Sequence, residues 1–365
     1  MEPMSADYND NCAIQQNTIQ KNLDVLLKGI DCWLTNPYNQ SLKDIDLRSF
    51  NISDFGCSHG RSSLLPISVI ITQIRKRMSA VDITVYHNDL PQNDFSQLFL
   101  EVNSNPDSYL KVSNNIFTMA AGRSFYDNVF PSNSIHFSIG FNCFHWASKL
   151  TSPFKNTIYY GHTQDDNLKK LWKKETVLDL ITILSARARE LAVGGVFVSN
   201  FLTDDNNGFE KSRMFYHKVK KIWDSLATDN YISVEEADKM VYPFRYYGMD
   251  DIQTALASPK VSEHGLQMVF SELRSTACPF EPLIKSHGDK YFAEKLFRGF
   301  CAFTEPTWKA IIKKNSEAVW QEYYRRFIQY FTENPSHGNI PHNYYIVVME
   351  KTLVNSSDHQ GSASC

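Results

Sequence analysis

Apolar side chains run through residues 50–55 and stop at Asp54-Phe55-Gly56, the pattern of a buried strand closing on a turn. The segment 64–78 then carries Leu65, Ile67, Val69, Ile70, Ile71 and Ile74 ahead of Arg75-Lys76-Arg77. It predicts a helix whose cationic end faces the negative pole of its own dipole. Pro66 is compatible only within the first turn, which places the helix start near Ser62 or Ser63. A second strand is expected over 83–87, ending in Asn88-Asp89-Leu90-Pro91, with further strands over 134–137 and 195–201. A long helix over 176–191 separates the last two, and Gly194-Gly195 reads as its stop signal. Such alternation predicts an α/β fold with a mixed, mainly parallel sheet covered by helices on both faces.

Beyond residue 203 the texture changes to helical patterning rich in aromatics, over 209–226, 249–257 and 291–303, and predicts a helical cap. Residues 344–350 return to a strand pattern, and the Ser-rich end after 354 reads as a frayed tail. The expected division is a core with an N-terminal active-site segment over 1–203, a cap over a substrate pocket at 204–335, a return strand at 336–353 and a disordered tail at 354–365. No internal repeat stands out.

The chain has 365 residues, 42% hydrophobic, with 24 Phe and 18 Tyr, enough to build a large core. A net charge of −3 is too balanced for phosphate-backbone binding, so no nucleic-acid partner is expected. Seven cysteines without C-x-x-C spacing indicate neither a disulfide framework nor a zinc knuckle and fit a reducing compartment. No apolar run reaches bilayer length, and the polar start at Met1 lacks a secretion signal's pattern. The expectation is a cytoplasmic protein without a membrane partner.

In an open α/β sheet the ligand crevice lies at the carboxyl ends of the strands. Asp54-Phe55-Gly56-Cys57-Ser58-His59-Gly60 falls at such a turn, where glycines admit close approach and Asp54 offers a carboxylate to a cationic or amino-bearing ligand. Asp89, ending the second strand, is placed to accept the hydroxyls of a ribose. Taken singly, each has a plain structural reading, since Gly, Asp, Asn and Pro form turns whatever the function.

Together these motifs resemble the SABATH methyltransferases, the salicylate, benzoate, jasmonate and caffeine-pathway type. Residues 54–60 are similar to the family's D-L-G-C-S-S-G, and Asn88-Asp89-Leu90-Pro91-Gln92-Asn93-Asp94-Phe95 to its N-D-L-P-G-N-D-F. Gly122-Arg123-Ser124-Phe125-Tyr126, Phe130-Pro131 and His145-Trp146 match further segments, as do Tyr8, Asn11 and Gln15 at the N-terminus and 280–287 with Leu296-Phe297 in the cap. The resemblance implies a Rossmann-like S-adenosylmethionine (SAM) site in the core. Its cofactor-binding residues would be Tyr8, Asn11, Cys12, Asp54, Gly56, Cys57, Ser62, Asp89, Leu90, Ser124 and Phe125. It also implies that Gln15 and Trp146 hold an acceptor carboxylate, with Asn142 and His145 lining the same pocket.

The expected reaction is methyl transfer from SAM to the carboxylate of a small, largely apolar organic acid. Positioning suffices, because such an acid, with a pKa of about 4, is already ionised at neutral pH and needs no base. The alternatives are an enzyme directed at nitrogen or hydroxyl, or a catalytically silent SAM-binding protein. Family habit implies a homodimer. Cys12, Ser62, Gln92 and Asn142 depart from the family pattern; Asn142 stands where a flat ring is usual and changes the acceptor wall. Asn156 and Asp238 fall near a family magnesium site, but Val241 has no oxygen side chain for a hard cation, so no metal is expected.

Overall fold

The computed structural model describes residues 8–41, 47–150, 154, 157–205 and 209–354. Seven strands form one sheet: β1 (Ser49–Phe55), β2 (Asp82–Asp89), β3 (Ile116–Gly122), β4 (Ile135–Gly140), β5 (Leu191–Leu202), β6 (Leu266–Thr276) and β7 (His342–Lys351). Their order is β3-β2-β1-β4-β5-β7-β6. The first five are parallel, while β7 runs antiparallel to both β5 and β6. The central strands are buried on both faces: Phe50, Ile52, Ser53, Asp54 and Phe55 of β1 are each at most 5% exposed. The near-continuous apolar run in the sequence follows from this double burial.

The helices that matter for the site are α1 (Ala13–Gln20), α2 (Leu23–Thr35), α3 (Leu64–Arg77), α4 (Phe95–Ser104), α5 (Asp166–Glu190), α6 (Phe209–Thr228), α7 (Met249–Ala257), α8 (Asp289–Lys309) and α9 (Ser316–Glu333). A 3-10 turn at Arg61–Ser63 leads into α3, so Pro66 does sit in the first turn. Helix α5 starts ten residues before the expected 176, because Asp165 caps it by accepting from the amides of Asn167 and Leu168.

Gly194 and Gly195 do not stop that helix. They lie inside β5, where the pairing of Ile135 with Leu191 jumps to Phe137 with Val196. The glycines serve this bulge: Gly194 has φ +74°, and a Cβ on Gly195 would come within 2.7 Å of the Ala192 carbonyl oxygen. Within 204–335 the chain is largely helical, with β6 as an exception that joins the sheet edge.

Aromatic packing builds the helical part. Phe215 of α6 meets Phe300 of α8 at 5.0 Å and Phe331 of α9 at 5.5 Å, and Phe297 meets Phe327 at 5.1 Å. Each such buried ring contributes roughly 1.5–3 kcal/mol relative to exposure. This layer reaches the sheet through Trp146, which bridges to Phe244 with their rings 4.5 Å apart. Arg245 anchors the same segment to α5, its Nε donating to Asp179 at 2.8 Å. Among the described residues no helix is long and apolar enough to cross a membrane.

Candidate functional site

The turn after β1 is tied to the end of β2 by backbone amides. Gly56 and Cys57 both donate to the Asn88 carbonyl, at 2.8 and 3.1 Å. Gly56 has φ +69°, and a Cβ there would lie 2.3 Å from that of Cys143, so conformation and space both require glycine. Ser58 donates its N–H to Asp89 Oδ2 at 2.7 Å and Leu90 donates to Oδ1 at 2.8 Å, while Asn93 Nδ2 donates to the Ser58 carbonyl at 2.8 Å. Burial raises the Asp89 pKa despite these two amides, which favour the anion.

Asp54 and Asp89 open into one cavity, about 950 Å³ with its mouth included, at the carboxyl ends of β1 and β2. Eleven of the fifteen expected residues line it: Tyr8, Gln15, Asp54, Gly56, Cys57, Ser62, Asp89, Leu90, Phe125, Asn142 and Trp146. Asn11, Cys12, Ser124 and His145 are not among the lining residues. Cys12 stands behind Ser62, whose Oγ donates to its Sγ at 3.5 Å. Ser124 Oγ accepts the Tyr126 amide at 3.3 Å. His145 is buried with its ring 4.2 Å from that of Phe244, and burial, with a contribution from His342, pushes its pKa down to about 3.

The cavity mixes carboxylates with apolar walls. Burial raises the thiol pKa of Cys57 and Cys143, so both line the site as neutral groups. Ile19, Pro66, Ile139, Phe141, Cys143 and Arg123 also line it and were not singled out from sequence. Only their positions at the carboxyl end of β4, in the turns after β3 and β4, and on α1 and α3 place them there. Asn142, with φ +56°, exchanges hydrogen bonds with Asn200: its N–H donates to Asn200 Oδ1 at 2.7 Å and its Oδ1 accepts from Asn200 Nδ2 at 3.0 Å. Its own Nδ2 lies 3.5 Å from the Gln15 carbonyl oxygen. The amide expected on the acceptor wall therefore also braces the segment that carries Gln15.

The donor set fits a sulfonium nucleoside. Two carboxylates suit an amino group and a diol, Phe125 and Leu90 supply apolar surface, and Gln15 Oε1 and Ser58 Oγ are buried without a hydrogen-bond partner. Asn156 lies outside the described residues, and among those described no three His, Cys, Asp or Glu side chains group to hold a metal ion.

A doubly wound sheet with a carboxylate-flanked crevice at its strand ends defines the Rossmann-like, nucleoside-binding class. The model of the family described as SAM dependent carboxyl methyltransferase matches residues 4–352, and this chain belongs to that family. It is 26% identical over 249 residues to jasmonate O-methyltransferase of Arabidopsis thaliana, covering 59% of this chain and 63% of that one. It is 28% identical over 206 residues to loganic acid O-methyltransferase of Catharanthus roseus, covering 53% of each. The matches thus span less than two thirds of either relative's length. A solved structure of loganic acid methyltransferase with SAH (S-adenosylhomocysteine) shares the fold at a TM-score of 0.76 and 20% identity, covering 98% of this chain and all of that one.

Proposed function

We propose that this chain transfers the methyl group of SAM to the carboxylate of a small, largely apolar organic acid, giving a methyl ester. The observation that carries the reading is a single cavity with Asp54 and Asp89 among its walls together with Gln15 and Trp146. When bound, the sulfonium supplies an electrophilic methyl carbon. Asp54 accepts from the amino group, Asp89 from the ribose hydroxyls, and Leu90 with Phe125 flanks the adenine. Gln15 and Trp146 donate side-chain N–H groups to the acceptor carboxylate, fixing its direction without the neutralising charge of a Lys or Arg. The acid is already ionised at neutral pH, so the chain's task is alignment and exclusion of water rather than proton removal. Ile19, Ile139 and Phe141 provide apolar wall for the rest of the acceptor. Residues 204–335, which hold Phe244 against Trp146, form the cap in this reading.

The test is incubation with methyl-labelled SAM and a panel of acids and purines. Label released by mild base from an acid product supports the reading. Label on a purine nitrogen, or SAM binding with no transfer to any acid of the panel, overturns it.

A further inference from the structure

Asp54 does not stand alone at the cavity wall. It pairs directly with His87 across the parallel β1/β2 ladder, and its Oδ2 lies 2.8 Å from His87 Nδ1. The far nitrogen, His87 Nε2, is 2.9 Å from the Tyr109 hydroxyl, which is 2.8 Å from Thr118 Oγ1 on β3. His87 and Tyr109 have no exposed surface, and Asp54 is 5% exposed. Three side chains therefore run from the interior to one oxygen, Oδ2, of a carboxylate that lines the cavity.

The direction of the protons follows from what each atom can do. Burial raises the Tyr109 pKa, so its phenol keeps a proton. A carboxylate oxygen can only accept, so Nδ1–H donates to it; in that tautomer Nε2 accepts from the Tyr109 O–H, and the phenol oxygen is left to accept from Thr118. All three bonds then point the same way, toward the anion, and each polarises the next. The carboxylate thus selects the tautomer by requiring the proton on Nδ1, and the phenol, able to donate or accept, completes it by donating to Nε2.

We propose that His87 is a positioning residue for the amino-acid end of the cofactor: through Tyr109 and Thr118 it is locked with Nδ1–H on Asp54, which holds the carboxylate rigid at the cavity wall. This rests on the SAM reading above. It makes the relay specific to one end of the ligand, since Asp89 and Phe125, assigned to the ribose and adenine, take no part in it.

Binding of two probes to the full chain separates the ends. S-adenosylhomocysteine carries the amino-acid portion, and 5′-methylthioadenosine lacks it. His87→Leu is expected to weaken S-adenosylhomocysteine about ten-fold, the scale of one misdirected charge-assisted hydrogen bond, while 5′-methylthioadenosine stays within about two-fold. Tyr109→Phe removes one oxygen, leaves the packing and is expected to shift the first probe alone by about three-fold. It keeps the test decisive if His87→Leu fails to fold. Equal weakening of both probes, or no weakening of the first by either folded variant, overturns the proposal. Wild-type protein that binds neither probe overturns the cofactor reading beneath it.

Discussion

Replacing Arg187 by Met should both destabilise the fold and loosen the cofactor pocket, and the two effects can be separated. Arg187 sits on the last turn of α5, 1% exposed, with Nε and Nη2 each 2.8 Å from the Glu190 carboxylate. Its Nη1 donates to the Phe125 carbonyl at 2.7 Å and Nη2 to that of Asp127 at 3.0 Å, while the guanidinium lies 3.9 Å from the Phe55 ring centre. Glu190 Oε1 in turn accepts the amides of Val129 and Phe130, at 2.6 and 3.2 Å. The segment that presents Phe125 to the cavity thus hangs on one buried ion pair. Breaking such a pair from one side strands a charge and costs about 3–5 kcal/mol. Adding Glu190→Gln removes the stranded charge and should return about 2 kcal/mol, yet the Phe125 and Asp127 carbonyls still lack their donor. S-adenosylhomocysteine affinity should therefore stay about ten-fold weaker in both variants, a loss of about 1.4 kcal/mol. Urea unfolding gives the stabilities and titration calorimetry the affinities. A double variant no more stable than Arg187→Met, or either variant binding as tightly as wild type, would refute this account.

Gln15→Ala combined with Trp146→Ala should cut kcat/KM for the identified acid by about 100-fold or more, as expected when two donors to a carboxylate are lost, with S-adenosylhomocysteine affinity nearly unchanged; an undiminished rate removes the pair from the acceptor site. Gly56→Ala should lower stability by about 2 kcal/mol or more, because the left-handed backbone and the 2.3 Å approach to Cys143 both resist a methyl group; a loss under about 0.5 kcal/mol in urea unfolding would contradict this. Burial holds His145 at about 3 against an unfolded value of 6.5, so the unfolded chain binds more protons as pH falls below 6.5. Stability should drop by about 1.4 kcal/mol per pH unit on this account between those limits, with His136 and His342, each pushed to about 4, adding their own slope. His145→Gln should flatten the unfolding free energy against pH, and an unchanged slope would count against the burial argument.

The strands legible in the sequence are those whose neighbours bury them: β1, β2, β4, β5 and β7 each carry a run of apolar residues. Strands β3 and β6 escaped because they are the two edges of the sheet. In β3 Phe117 and Met119 stay exposed, and in β6 the register shifts between Met268 and Phe270 and charged Glu272 and Arg274 interrupt the pattern. In β6 such charged positions protect the edge from pairing with another chain and break the period-2 signal, whereas in β3 the outward positions are as apolar as the inward ones, so no alternation appears. Gly194-Gly195 misled for a related reason: glycine marks an unusual backbone without saying whether a helix end or a bulge needs it.

The two ends of the cavity are put together differently along the chain. Residues assigned to the cofactor come mostly in contiguous runs, because a strand end and the turn after it deliver neighbouring side chains and amides to one point, as Gly56, Cys57 and Ser58 do against Asn88 and Asp89. The residues proposed for the acceptor come from distant pieces, with Gln15 from α1, Asn142 and Trp146 from the loop after β4, and Asn200 from β5 hydrogen-bonded to Asn142. The residues proposed for the nucleoside are thus neighbours in sequence, while those proposed for the acceptor meet only when α1 docks against the loop after β4. Asn142 shows the consequence. Read locally it is a polar substitution on a pocket wall, but its backbone N–H and side-chain oxygen are engaged by Asn200, and its amide nitrogen faces the Gln15 carbonyl. Changes at 142 and 200 should thus alter acceptor choice by moving Gln15 as well as by reshaping the wall, a coupling that a double-mutant cycle on kcat/KM would detect.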